Sequence, residues 1–308
     1  MREIYFWGEV ENMDKIIIHF NMYICFLERI KQMNVANFTK LYSIFSTKDW
    51  HSKKDYNDNV FENFCKLLSN LNEKQQSLIL ELTERYVWLS VNEYNSTLIK
   101  IFNSIPNDEV NLLKRIFLFP IVRTEEEFKT KSGHGILFML RGIKPLLAKF
   151  QNIIFKEVEQ FNYFETNPKI KDDELIFLLD DFLGSGSTIS STIQELNSYG
   201  ISNDQIRIIS IAAHNQAITY LDSLPIKYYI DLIMTKGISE HYAVDILSEK
   251  VDIMNQIEKL LPTSKYNFGY SKSEALITLY RTPNNTFPIF WLDHKKDEVN
   301  YKAPFPRF

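Results

Sequence analysis

Asp180 and Asp181 are followed, after two apolar residues, by the small-residue loop Gly184, Ser185, Gly186, Ser187 and Thr188. The apolar run 175–179 before the acids reads as a buried strand. After the loop, Ile189, Ile193 and Leu196 recur at helical spacing, and Gly200 offers a stop. Backbone N–H groups at a helix N-terminus favour a phosphate. Carboxylates beside that phosphate cannot bind it; they suit neighbouring hydroxyls, as on a ribose, or a metal ion. Three other phosphate patterns fail here. A Walker loop needs a Lys after its last Gly, and Ser187 follows Gly186. A dinucleotide fingerprint needs a third Gly where Ile189 stands and an acid well after the loop. An Asp-x-Asp phosphatase pair would need an acid at Phe182.

Apolar strand, acidic pair, spacers and Ser-Gly-x-Thr together resemble the phosphoribosyl-pyrophosphate (PRPP) loop of type I phosphoribosyltransferases (PRTases). The resemblance implies that Asp180 and Asp181 bind the ribose 2′ and 3′ hydroxyls. It places the 5′-phosphate on the 184–188 loop, and Mg²⁺ near the acids only through the ribose hydroxyls. The family holds pyrophosphate in an upstream strand-to-helix loop. Lys131, Ser132 and Gly133 match it in position and chemistry: a cation, a hydroxyl and a Gly that lets backbone approach closely. Lys129 and Arg141 are weaker candidates for that charge. Polar segment 160–174 sits where the family has a mobile loop over the reacting centre, or is a plain connector. Metabolic members carry Thr-Thr-Gly where this chain has Gly184-Ser185-Gly186, and some members of the fold keep the loop and act as regulators.

These residues need a sheet to position them. From Arg115 onward apolar runs alternate with helical patterns: 116–122, 205–213 and 226–234 read as strands, with a helix over 215–221. Pro120 weakens the pairing of the first or places it near an edge. Such sheets bind ligands at the carboxyl ends of their strands. Lys236, Gly237 and Ser239 follow the third strand and are expected to wall the crevice near a base or acceptor. His214 and His241 also follow strands and could move a proton near neutral pH. Residues 1–105 read as helical, with apolar faces over 16–27, 61–68, 78–89 and 94–102, and a polar loop over 46–59. The expected organisation is α/β: a helical region over 1–108, then a parallel-sheet, PRTase-like (Rossmann-like) domain over 109–308 with a C-terminal extension.

The chain has 308 residues, 45% of them apolar, enough for a sizeable core. A net charge of −4 without a basic run argues against a general nucleic-acid binder. Cys25 and Cys65 make neither a disulfide framework nor a zinc site, and read as buried thiols in a reducing compartment. The charge-broken N-terminus is no signal peptide, and no apolar run spans a bilayer, so a cytoplasmic, non-membrane protein is expected. Pro283-Asn284-Asn285-Thr286-Phe287-Pro288 follows no periodicity; its asparagines suit a tight turn. With the Lys-Ser-Gly, Asp-Asp-Phe and Lys-Gly-Ile-Ser segments it resembles a branch of PRTase-like proteins found beside retron-type anti-phage genes. That branch implies a defence effector that binds PRPP or a nucleotide with Mg²⁺ and transfers or cleaves at ribose C1′. The alternative is an inactive nucleotide-sensing module that docks on a reverse transcriptase, a non-coding nucleic acid or another copy.

Overall fold

The computed structural model describes residues 34–53, 59–167 and 169–307. Helices α1 (Val35–Thr47), α2 (Val60–Ser69) and α3 (Glu73–Arg85) open the described chain. The α1 N-terminus is closed by the Asn34 side chain, which accepts the Ala36 N–H. The start of α3 is held by a reciprocal pair, Asn72 with Gln75. The expected helix over 16–27, with Cys25, lies outside the described residues. The apolar face expected over 78–89 is cut short. Tyr86 turns to extended backbone (φ −67°, ψ 136°), and β1 (Val87–Trp88) pairs in parallel with β7 (Ile277–Thr278). Helices α4 (Val91–Ser104) and α5 (Asn107–Val110) follow. No helix among the described residues is long and apolar enough to cross a membrane.

The main sheet has five strands: β2 (Arg115–Pro120), β3 (Ile154–Glu157), β4 (Glu174–Leu183), β5 (Ile206–His214) and β6 (Lys227–Met234). They pair in parallel in the order β3-β2-β4-β5-β6. The connecting helices are α6 (Ser132–Ile143), α7 (Asn162–Thr166), α8 (Ser187–Ser198) and α9 (Asn215–Asp222). A central parallel strand is covered on both faces, so β4 reads as a continuous apolar run. Every residue of β4 is buried except Asp180. Leu175, Phe177 and Leu179 face a core shared with α4 and α6, while Ile176 and Leu178 join α8 in the opposite core. Pro120 does not mark an edge: β2 lies between β3 and β4, and Pro120 is its last residue, opposite Leu179. Segment 160–174 is tied to the sheet by buried side chains at 161, 164 and 170. Phe161 and Phe164 of this segment are buried against Phe119, with centroids at 4.8 and 5.4 Å.

After β6 come α10 (Val244–Glu258), β7, and the hairpin β8 (His294–Lys296) and β9 (Val299–Tyr301). Cores cross the expected boundary at 108/109. One joins α1, α2 and α3 to α10 and the C-terminal tail; another joins α4 to the main sheet. Phe305, between two prolines, fills an aromatic nest: its ring lies stacked on Tyr86 at 5.0 Å and edge-on to Trp88, Phe64 and Trp50 at 5.2, 5.7 and 6.0 Å. Such pairs add about 0.5–1.5 kcal/mol each beyond area burial. The Phe305 carbonyl accepts the Thr282 hydroxyl at 3.1 Å, which ties the tail to the strand end before it. The helical region therefore anchors the segments that reach the sheet's carboxyl edge.

Candidate functional site

A cavity of about 430 Å³ opens at the carboxyl ends of β2 and β4, between the N-termini of α6 and α8. Asp180, Asp181 and the whole 184–188 loop line it, together with Lys131 and Ser132. Strand β4 runs through the acids to Leu183, because Phe182 and Leu183 continue the pairing with Ala212 and Ala213. The acids are thus fixed by a central strand rather than carried on a loop. Gly186 caps α8 with φ +83°, a left-handed conformation that turns the chain so that α8 starts at the cavity. A Cβ on Gly184 would stand 2.3 Å from Asn285 Oδ1. The Asn-Asn segment is therefore the wall against which the loop closes. Its turn is held by Thr286 N–H donating to the Pro283 carbonyl at 3.1 Å, and Asn284 and Asn285 both face the cavity.

Side-chain parity on β4 sends Asp181 toward α4, where the Tyr94 hydroxyl donates to Oδ2 at 3.1 Å. The same hydroxyl accepts the Tyr280 N–H at 2.9 Å, so the tail, α4 and the acid form one chain of hydrogen bonds. Asp180 Oδ1 accepts both the Ser132 hydroxyl and, at 2.9 Å, the Asp181 N–H. Burial holds the Asp180 carboxyl well above the ordinary carboxylate range, and the Asp181 charge adds to the rise. Asp181 is also raised by burial, offset by the donors Ser132 and Tyr94. Two adjacent acids under these constraints are costly to ionise. Tyr94 has no motif around it; at helical spacing it reads as one more core aromatic. Nothing in the local sequence singles it out.

Lys131 lines the cavity with its ammonium on Glu126 at 2.9 Å, and that pair holds the Glu126 carboxyl below its usual range. Arg123, which no motif identified, donates to Ser187 Oγ at 3.0 Å and brings a guanidinium to the loop. Gly133 is not among the lining residues. A Cβ there would stand 2.5 Å from the Leu179 carbonyl oxygen, so this glycine lets α6 pack on the strand ends instead of admitting a ligand. Lys129 pairs with Glu126 at 3.5 Å, and Arg141 forks onto Glu157; neither reaches the cavity.

The expected base wall is also displaced. Lys236, Gly237 and Ser239 do not line the cavity. Buried Glu274 draws this segment to itself, accepting the Ile238 and Ser239 N–H groups at 2.8 and 2.7 Å and the Ser239 hydroxyl. His214 is fully buried at the start of α9, where Nδ1 accepts the Gln216 N–H at 3.2 Å, and burial lowers its pKa. His241 packs edge-on to Tyr242. Neither histidine lines the cavity, whose far wall is instead Tyr270, Arg281, the Asn-Asn segment and Arg307. Among the described residues no group of three or more His, Cys, Asp or Glu is placed to hold a metal ion.

A family model described as PRTase-CE matches residues 62–307. Among solved structures, a purine phosphoribosyltransferase from Pyrococcus horikoshii is similar over 48% of this chain and 86% of its own, at 12% identity and a TM-score of 0.28. A hypoxanthine-guanine phosphoribosyltransferase from Schistosoma mansoni, solved with IMP, is similar over 47% and 69%, at 16% identity and a TM-score of 0.30. No curated protein matches.

Proposed function

The chain belongs to the PRTase-CE family, with a type I PRTase-like fold, and on that premise we propose that it binds PRPP or a nucleotide and transfers or cleaves at ribose C1′. The reading rests on one observation: the Asp180–Asp181 pair and the 184–188 loop at the start of α8 share a single cavity. In this reading the loop N–H groups take the 5′-phosphate. Asp180 and Asp181 accept the ribose 2′ and 3′ hydroxyls, and Tyr94 holds Asp181 in place for that contact. Mg²⁺ enters as part of the Mg·PRPP substrate and touches the acids only through the ribose. Lys131 leaves Glu126 to meet the charge that develops on the departing pyrophosphate, with Ser132 beside it. As the bond to C1′ lengthens, positive charge grows on the ribose beside the carboxylates. With a base as acceptor the outcome is a nucleotide; with water, the same site cleaves one.

The motif order shared with the conflict-system branch supports a role as a cytoplasmic effector of anti-phage defence, acting on a nucleotide pool. Pyrophosphate release from Mg·PRPP and base release from nucleoside monophosphates test the reading, with Asp180→Asn as the comparison. Turnover that falls at least about tenfold in the variant is expected, the scale of one lost charge-assisted contact. Equal turnover by both proteins would remove Asp180 from the reaction. Ligand binding without turnover would instead favour a sensing module.

A further inference from the structure

Among the described residues, two cations of the cavity have no counter-charge. Lys131 is matched by Glu126, and Arg123 has Ser187 and, at 4.0 Å, Glu125. Arg281 and Arg307 also line the cavity, and among the described residues neither guanidinium makes an ion pair. Arg307 Nε is buried without a hydrogen-bond partner, while its guanidinium lies over the Trp291 ring at 5.6 Å. Its backbone N–H donates to the Trp291 carbonyl at 3.4 Å. Two residues earlier, Phe305 is locked into the aromatic nest, and the Thr282 hydroxyl beside Arg281 is tied to the Phe305 carbonyl. Both arginines are thus delivered by rigid, mutually bonded segments. Burial, and then the Arg281 charge, lowers the Arg307 pKa. Two like charges brought together without an acid are costly, and planar guanidiniums suit phosphoryl oxygens in a bidentate manner.

We propose that Arg281 and Arg307 form a phosphoryl-binding clamp on the C-terminal wall of the cavity, taking a phosphate other than the one held by the 184–188 loop. The proposal rests on the reading above for the loop, but not on its chemistry. Two sources share the ligand chemistry: the pyrophosphate of PRPP, or a phosphate on the second substrate. A neutral base would leave the clamp unused.

Calorimetry of the full chain separates these cases, with inorganic pyrophosphate, ribose 5-phosphate and Mg·PRPP as probes. Arg281 is exposed, so Arg281→Gln is expected to fold as the wild type; Arg307→Lys keeps the charge over Trp291 and loses the fork. Pyrophosphate affinity should fall about tenfold or more in Arg281→Gln and by less in Arg307→Lys, while ribose 5-phosphate affinity changes by less than about twofold. An equal fall for Mg·PRPP assigns the clamp to its pyrophosphate. Unchanged Mg·PRPP, with weaker pyrophosphate binding to the PRPP-saturated protein, assigns it to the second substrate. Pyrophosphate affinity that is unchanged in Arg281→Gln, or that falls in parallel with ribose 5-phosphate, would overturn the clamp. If neither ribosyl ligand binds the wild type while pyrophosphate binds through the arginines, the reading of the loop fails and the clamp stands.

Discussion

Asp180→Asn is expected to melt higher than the wild type at neutral pH while losing ribosyl ligands. Burial and the neighbouring Asp181 raise the Asp180 carboxyl in the folded state. A carboxyl raised by folding gives its full stability below the unfolded value near 3.8 and loses it as pH rises from there toward the folded value. The amide removes that loss, and its oxygen can still accept the Ser132 hydroxyl and the Asp181 N–H. The gain should therefore vanish near pH 4 and grow with pH, by roughly 2–4 °C for each kcal/mol relieved. Acids held at a cost to stability are what a binding or catalytic site requires; acids that merely cap a turn would make the same substitution neutral or harmful. Melting curves of both proteins between pH 4 and 8 read this directly. A variant less stable at pH 7 than at pH 4, relative to the wild type, contradicts it.

Phe305→Ala should have the largest effect on stability. The ring is 4% exposed and meets four aromatic side chains from α1–α2, β1 and the turns around them. Truncating a buried Phe costs about 3–5 kcal/mol, since the nest cannot collapse to fill the cavity. A fall in melting temperature of roughly 10 °C is expected. The same change should loosen Arg307, two residues on, so pyrophosphate affinity should drop further than folding alone explains at a temperature where the variant remains native. A loss of under about 1 kcal/mol would mean that the tail is not part of the core.

The local parts of this architecture were legible in the sequence. The strand–loop–helix at 175–196 and the alternation after Arg115 follow from period and from turn chemistry, and the parallel sheet carries them. What escaped was whatever depends on distant partners. The pairing of β1 with β7 joins two-residue strands about 190 positions apart, too short to show a period. Tyr94 looked like core because it is core on all sides except its hydroxyl. Lys236, Gly237 and Ser239 carry plausible site chemistry, but Glu274, 35 positions away from Ser239, draws them elsewhere. Gly133 carries the small-residue chemistry of a ligand loop, but the Leu179 carbonyl occupies the space a Cβ would need. Arg281 and Arg307 reach the cavity only because the tail is anchored on the helical region, which no local pattern reveals. The Asn-Asn segment was conspicuous for lacking a periodic explanation; its reason is contact with the loop at Gly184.

The most direct test of the account is calorimetry of the full chain with Mg·PRPP, comparing the wild type with the Asp180→Asn/Asp181→Asn double variant. Saturable binding by the wild type and a loss of at least about tenfold in the variant are expected, because a neutral acceptor roughly halves the strength of each hydroxyl contact. Equal binding by the two proteins, or none by the wild type, would contradict the assignment of the 180–188 segment as a ribosyl-phosphate site.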